Sequence, residues 1–276
     1  GGSQLVNYGG VASSTQIASF GSQVVYNGGK AYKTVVSSAG IQSVSGGIVY
    51  STTVSSGGSQ LIYNGGVSLS ATIASDGSQT VFNGGLDHLG RINASGNQTV
   101  SSGGGATQTT IYGIQTISAG GTAVSARVSS GGTQTIGSGA SATQTKIVSG
   151  GFQNISSGGS ALSTAISSGG SQSVFADGVA SRTTASGGVI TLGGIANNTT
   201  LVNTTSMTSS GGSSSIVIVD VGSQVVLSGG VTNNVIDSGG YLYVFSGGLV
   251  KGLLVAAGGK AVVENANAFS SGSPLA

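Results

Sequence analysis

The chain has 276 residues, no cysteine, a formal net charge of +2, 5% charged and 37% hydrophobic residues, and 53 glycines. This excludes a disulfide framework and ordinary disorder, which goes with low hydrophobicity and high net charge. The eight Lys/Arg are too scattered to release counterions from DNA, so nucleic acid is not an expected partner, and no apolar run approaches the roughly 18 residues of a membrane span.

The first residues, GGSQLVNYGG, already belong to a repeat, so no signal segment is read and the chain is expected to begin within a longer protein. In chain order a short unit G-x-Q-x-[VIL] places Gln4, Gln23, Gln42, Gln60, Gln79, Gln98, Gln115, Gln134, Gln153 and Gln172 at a nearly constant step, the signature of a repeat architecture. Between these units lies a longer one, GG-x-A-x-x-T-x-[VI]-x-S, as in Ala12/Thr15/Ile17, Ala31/Thr34/Val36 and Ala161/Thr164/Ile166. Gln-x-Val and Thr-x-Ile alternate with a period of two, which is the period of a strand. Glycine pairs mark the corners, with Asn27, Asn64, Asp76 and Asn83 as residues that tolerate left-handed backbone there.

Three short strands and three corners per turn predict an all-β chain, a right-handed parallel β-helix (solenoid) of about 19 residues per coil. About fourteen coils at about 4.8 Å each would give a rod of roughly 65 Å. Val and Ile ending each short strand, and those after each Thr, should form stacked aliphatic columns. Gln shares the parity of its Val and is placed inward, where its amide needs the amides above and below as partners. The expected column is Gln60, Gln79, Gln98, Gln115, Gln134, Gln153 and Gln172. Regular coils are expected over 1–188. The glycine step from Gly188 to Gly222 is then no whole number of such turns, which marks 189–221 as an irregular coil or bend within the same solenoid. Further coils are expected over 222–264 and an irregular tail over 265–276.

Catalytic chemistry finds little support. The single histidine, His88, stands beside Asp87 in a coil without the consensus Ala and Thr, and it reads as a surface residue, since a dyad needs a nucleophile and an oxyanion site. The acids are too dispersed for a metal site, no Asp recurs per turn as in calcium-binding β-rolls, and no phosphate-binding loop motif occurs, so no cofactor is expected. Arg91, Arg127 and Lys146 occupy the outward place between Thr, or its replacement, and Val/Ile, and read as a solvated column, with a weak electrostatic contact to an acidic partner as the alternative. The residue after each Gln also points outward: Leu5, Val24, Ser43 and Leu61, then Thr80, Thr99, Thr116, Thr135 and Asn154, with Tyr63 and Phe82 just beyond.

The alternating GG-x-A-x-x-T-x-[VI]-x-S and GG-x-Q-x-V units resemble the repeats of self-associating autotransporter adhesins of the AIDA and antigen 43 group, closely over 1–188 and more loosely over 222–262. The resemblance implies a secreted passenger domain at the cell surface, tethered to the outer membrane through a C-terminal barrel, that acts in autoaggregation, biofilm formation and adhesion. It implies as partners the same protein on neighbouring cells, host surface glycans or proteins, and a protein O-glycosyltransferase. For sugar attachment the serine-rich corners offer Ser129, Ser130, Ser167 and Ser168. Thr80, Thr99, Thr116, Thr135 and Asn154, flanked by Tyr63 and Phe82, are the expected self-association face. The alternative is a carbohydrate-active β-helix enzyme, which would need clustered carboxylates.

Overall fold

The computed structural model describes residues 1–18 and 20–264, so the predicted tail at 265–276 lies outside the described residues. The chain is an all-β parallel solenoid in two compact units, Gly1–Thr143 and Gln144–Ala276. In the first unit the Gln strands, from Ser3–Val6 to Thr133–Ile136, pair in parallel with identical register, Gln60 opposite Gln79 and Ile62 opposite Val81. The Ala-bearing strands, such as Lys30–Tyr32, and the third strands, such as Val35–Val36, belong together to a second sheet. The second unit repeats the scheme from its Gln strand Phe152–Ile155 onward.

Each coil therefore has three strands but two sheets. Between the Ala strand and the third strand stands one residue with positive φ, and it is seldom glycine: Ser14, Lys33, Ser51, Ser70, Leu89 and Gln108 in successive coils. A left-handed residue with a Cβ costs about 1–2 kcal/mol. Here its N–H is spent on the next coil: Lys33 N donates to Tyr50 O at 2.9 Å, and Ser51 N to Leu69 O at 2.8 Å. The bend is thus part of the ladder.

The glycine pairs divide two tasks. Gly65 has φ +70°, while Gly66, whose N–H closes the turn on Tyr63 O at 2.8 Å, leaves no room for a side chain, because a Cβ would lie 2.3 Å from Val44 O of the preceding coil. Asn27, Asn64 and Asn83 do not themselves take the left-handed conformation; the glycine after each does, and only Asp76 of the four expected residues has positive φ. A glycine pays no Cβ penalty in that region, so it wins the position from the neighbouring Asn.

Inside the first unit the columns are those expected. Val25, Val44, Ile62, Val81, Val100 and Ile117 are fully buried, as are Val36, Val54, Ile73, Ile92 and Ile111. Gln23, Gln42, Gln60, Gln79, Gln98, Gln115 and Gln134 are at most 1% exposed, and each Nε2 donates to the Oε1 one coil before: Gln42 to Gln23 at 2.7 Å, Gln60 to Gln42 at 2.8 Å, Gln115 to Gln98 at 2.6 Å and Gln134 to Gln115 at 2.7 Å. In the second unit Gln172 donates to Gln153 at 2.7 Å, after which Ile190 takes the place of Gln.

The amides have a second partner that Gln–Gln stacking alone does not supply. In several coils the inward Thr donates to that coil's own Gln: Thr34 to Gln23 Oε1 at 3.2 Å, Thr52 to Gln42 Oε1 at 3.0 Å; the hydroxyl of Thr109, in the coil of Gln98, makes no such bond. Where the Thr place holds Ala71, the hydroxyl appears instead at the Ala place, as Ser68, which donates to Gln60 Oε1 at 3.3 Å. In the second unit Val235 fills the Thr place, and Thr232 accepts from Gln224 Nε2 at 3.0 Å. A buried amide is costly to leave half-satisfied, and either position reaches it, although at Gln224 the hydroxyl serves only Nε2 and Oε1 is left without a partner.

The long glycine step from Gly188 to Gly222 consists of two short coils. Val189 pairs with Thr205 and Thr205 with Ser223, so each coil closes before the regular turn length is reached, the first of them earlier than the second. The shorter coil turns its first corner on Gly193 and Gly194 alone, where the coil before uses Phe175, Ala176, Asp177 and Gly178. From Ile195–Val202 onward the Ala strand and third strand run together as one longer strand.

Candidate interaction faces

Parallel pairing without register shift turns a position in the repeat into a row on the surface. In the first unit Thr80, Thr99, Thr116 and Thr135 are successive ladder partners, preceded by Leu61 opposite Thr80. Each is half-buried between its neighbours. Asn154 holds the same position in the second unit, opposite Ser173. Tyr63 and Phe82 stack with centroids 4.8 Å apart and planes 3° from parallel, on the corner that borders the Thr row. No Gln strand of the first unit carries a charged residue, so this outer face is neutral throughout.

Charge sits on the other sheet. Arg91, Thr110 and Arg127 are successive partners on the third strands of the first unit, with Thr72 before them. Lys146 has the same place in the second unit, opposite Ala165. Arg91 donates from Nε to Asn93 Oδ1 at 2.8 Å and lies over the Tyr112 ring, 4.4 Å from its centroid.

The four candidate serines differ in access. Ser130, Ser167 and Ser168 are exposed, whereas Ser129 is 5% exposed. Ser129 follows directly on the inward Val128, and its N–H is tied to Ile111 O of the coil before at 2.9 Å.

His88 and Asp87 face opposite ways, as neighbours in a strand must. His88 is half-exposed, with Nδ1 2.7 Å from Thr107 Oγ1. Asp87 is fully buried in the column that holds Ala elsewhere, and its carboxylate receives Gln79 Nε2 at 3.0 Å and Gln98 Nε2 at 2.8 Å. Burial pushes its carboxyl up from 3.8 to about 6, with the bonds from Gln79 and Gln98 opposing that shift. The Thr place of this coil is Gly90, where a Cβ would lie 2.1 Å from Asp87 Oδ2. Asp87 therefore plays the structural part that Thr plays in other coils, and it is no partner for His88 in catalysis. Its place one repeat after Ser68, its ladder partner, was the available signal. In the second unit Asp237 likewise replaces an inward aliphatic residue, accepting from the N–H groups of Gly240 and Lys260 at 3.0 Å each, and burial raises its carboxyl too.

No protein-family model and no curated protein matches the chain. Among solved structures, a TibA fragment hyper-glycosylated by TibC is 36% identical, superposes with a TM-score of 0.90, and is matched over 95% of this chain and 99% of its own length. The chain belongs to the autotransporter adhesin passenger domains of the AIDA type. As such a passenger it works at the cell surface. A GH87 α-1,3-glucanase catalytic unit from Streptomyces thermodiastaticus (10% identity, TM-score 0.30, 98% of this chain and 63% of that one) carries no argument about this passenger. Nor does an alginate lyase from Paenibacillus (12%, 0.22, 95% and 98%). The adhesin reading stands over the carbohydrate-active one.

Proposed function

We propose that this passenger mediates self-association between neighbouring bacteria, and through it aggregation and biofilm formation, by face-to-face contact of the outer side of the Gln sheet of its first unit. The observation that carries this reading is the unbroken row Thr80, Thr99, Thr116 and Thr135 on a face without charge. Hydroxyls repeated at every coil offer the same donor and acceptor many times, and weak contacts become effective when many engage together between two surfaces. The Tyr63–Phe82 stack adds apolar area at the border of that row; Asn154 extends the same pattern in the second unit. The protein acts by contact rather than catalysis, held at the outer membrane by a barrel domain.

Thr80→Glu with Thr116→Glu tests this. The two positions are two coils apart, so repulsion within one chain stays small, while a self-complementary contact brings like charges together. Settling of cells displaying the variant should slow on the order of tenfold or more, with circular dichroism unchanged. Settling of wild-type cells should respond weakly to salt, because no field of opposite charges is there to be screened. Unchanged settling of a folded variant would move the contact to another face.

The TibA fragment carries sugars added by TibC. The corresponding modification here, by a protein O-glycosyltransferase, is proposed for Ser130, Ser167 and Ser168, whose exposure suits it, and not for Ser129. Peptide mass spectrometry of protein made beside such an enzyme should find added hexose- or heptose-sized masses at those corners and none on Ser129. An unmodified mass under those conditions removes this part of the reading.

A further inference from the structure

All four Lys/Arg of the first unit, Lys30, Lys33, Arg91 and Arg127, lie on the Ala strands, the third strands or the bend between them. Its two acids do not neutralise them there: Asp87 is in the interior, and Asp76 stands at a corner beyond the third strand. Among the described residues none of these four cations forms a salt bridge. Within this set Arg91 and Arg127 form one row with the Thr110 hydroxyl between them, and two coils separate them by roughly 9 to 10 Å.

Arg91 is already oriented. Its Nε is occupied by Asn93 and its plane is packed on Tyr112, which leaves its terminal amino groups unused among the described residues. A guanidinium held in this way loses less freedom on binding, and its fork suits a carboxylate or sulfate better than an ammonium does. Tyr112 offers an aromatic surface beside it.

We propose that the Arg91–Thr110–Arg127 row of the first unit, with Tyr112, binds an anionic polysaccharide, each arginine taking one sulfate or carboxylate group of the chain. The spacing decides between partners. Two guanidiniums two coils apart are too far from each other to share one anion, but they match a polymer with an acidic group on every second sugar. A nucleic acid presents a charge every few ångströms and is held by many cations at once; this row has two. An acidic peptide would add at a sheet edge, whereas these strands are already paired on both sides. A second copy of the chain has no complementary row among the described residues, since of its exposed acids Asp76, Asp177, Asp220 and Glu264 none is the ladder partner of another. The site lies on a different sheet from the Thr row, so a glycan-binding measurement and the settling assay succeed or fail separately.

The test is binding of the full chain, at low and physiological salt, to immobilised heparin, to chondroitin sulfate and hyaluronan, to neutral dextran and to duplex DNA. Heparin, chondroitin sulfate and hyaluronan should bind and dextran should not. Arg91→Gln with Arg127→Gln should weaken heparin binding on the order of tenfold or more and lower the slope of log affinity against log salt by roughly one per arginine. Lys251→Gln with Lys260→Gln removes the same net charge elsewhere and should change binding little. Arg91→Lys with Arg127→Lys keeps the charges and should retain more binding than the glutamine pair. Equal loss in the two glutamine pairs, no binding to any acidic glycan, or DNA binding as tight as heparin would overturn the proposal.

Discussion

Gln98→Leu should destabilise the first unit by roughly 3 to 9 kcal/mol, the cost of stranding three buried polar groups at about 1 to 3 kcal/mol each. Gln98 Nε2 serves both Gln79 Oε1 and Asp87 Oδ2, and Gln98 Oε1 accepts from Gln115. Leucine fills the space but answers none of these groups. Gln172→Ile should be much milder, about 1 to 2 kcal/mol on the same scale. Its neighbour in the column on one side is already Ile190, and the Gln153 oxygen it would abandon still accepts from Thr164 at 3.3 Å. Denaturant unfolding of the full chain, followed by circular dichroism, reads both. In a solenoid each coil is supported only by its neighbours, so an equal cost at the two positions would mean that the number of stranded amide partners does not set the cost.

The inward Gln was legible because it shares the parity of Val in a strand whose period is two, and a slip of one residue would expose the whole aliphatic column. Its second partner was not legible. Thr34 and Ser68 sit at different places in the repeat, and only the fold shows that both places point to the same amide. The left-handed bend was hidden for a related reason: it is occupied by Ser14, Lys33, Leu89 and Arg182, which share no side-chain property. What the position requires is an N–H aligned with the next coil, and every residue but proline has one. The stretch 189–221 looked irregular because a fixed turn length was imposed on it. Strand registers are kept there while the corners shorten, so the coil length changes and the pairing does not. The surface rows were the most legible part of the candidate sites, since ladder rows follow directly from the repeat. Accessibility at the corners was less so: Ser129 and Ser130 are adjacent in sequence, yet one is buried and the other exposed.

Asp87 and Gly90 should behave as a single unit. Gly90→Thr alone should cost about 3 kcal/mol or more, because the new side chain displaces the Asp87 carboxylate from the two amides that hold it and leaves a buried charge poorly paired. Asp87→Ala combined with Gly90→Thr rebuilds the Ala31/Thr34 arrangement, with a hydroxyl for the amide and no charge, and should be at least as stable as the parent at neutral pH. The departure from additivity measures the coupling. The pair also differs from the parent in its response to pH. The Asp87 carboxyl titrates near 6 in the folded chain instead of 3.8, so between about pH 4 and 6 the folded state keeps a proton that the unfolded state has released. Its contribution to stability is complete below about pH 4 and is lost as pH rises through 6, a change of roughly 3 kcal/mol for a shift of about two units. Asp237 changes stability in the same direction, but it is present in both proteins and cancels in the comparison. Unfolding measured at pH 4, 5, 6 and 7 should therefore show the parent losing stability relative to the double variant across that window. A constant difference would mean that the Asp87 carboxylate is solvated, and that Gly90 is there for some reason other than making room for it.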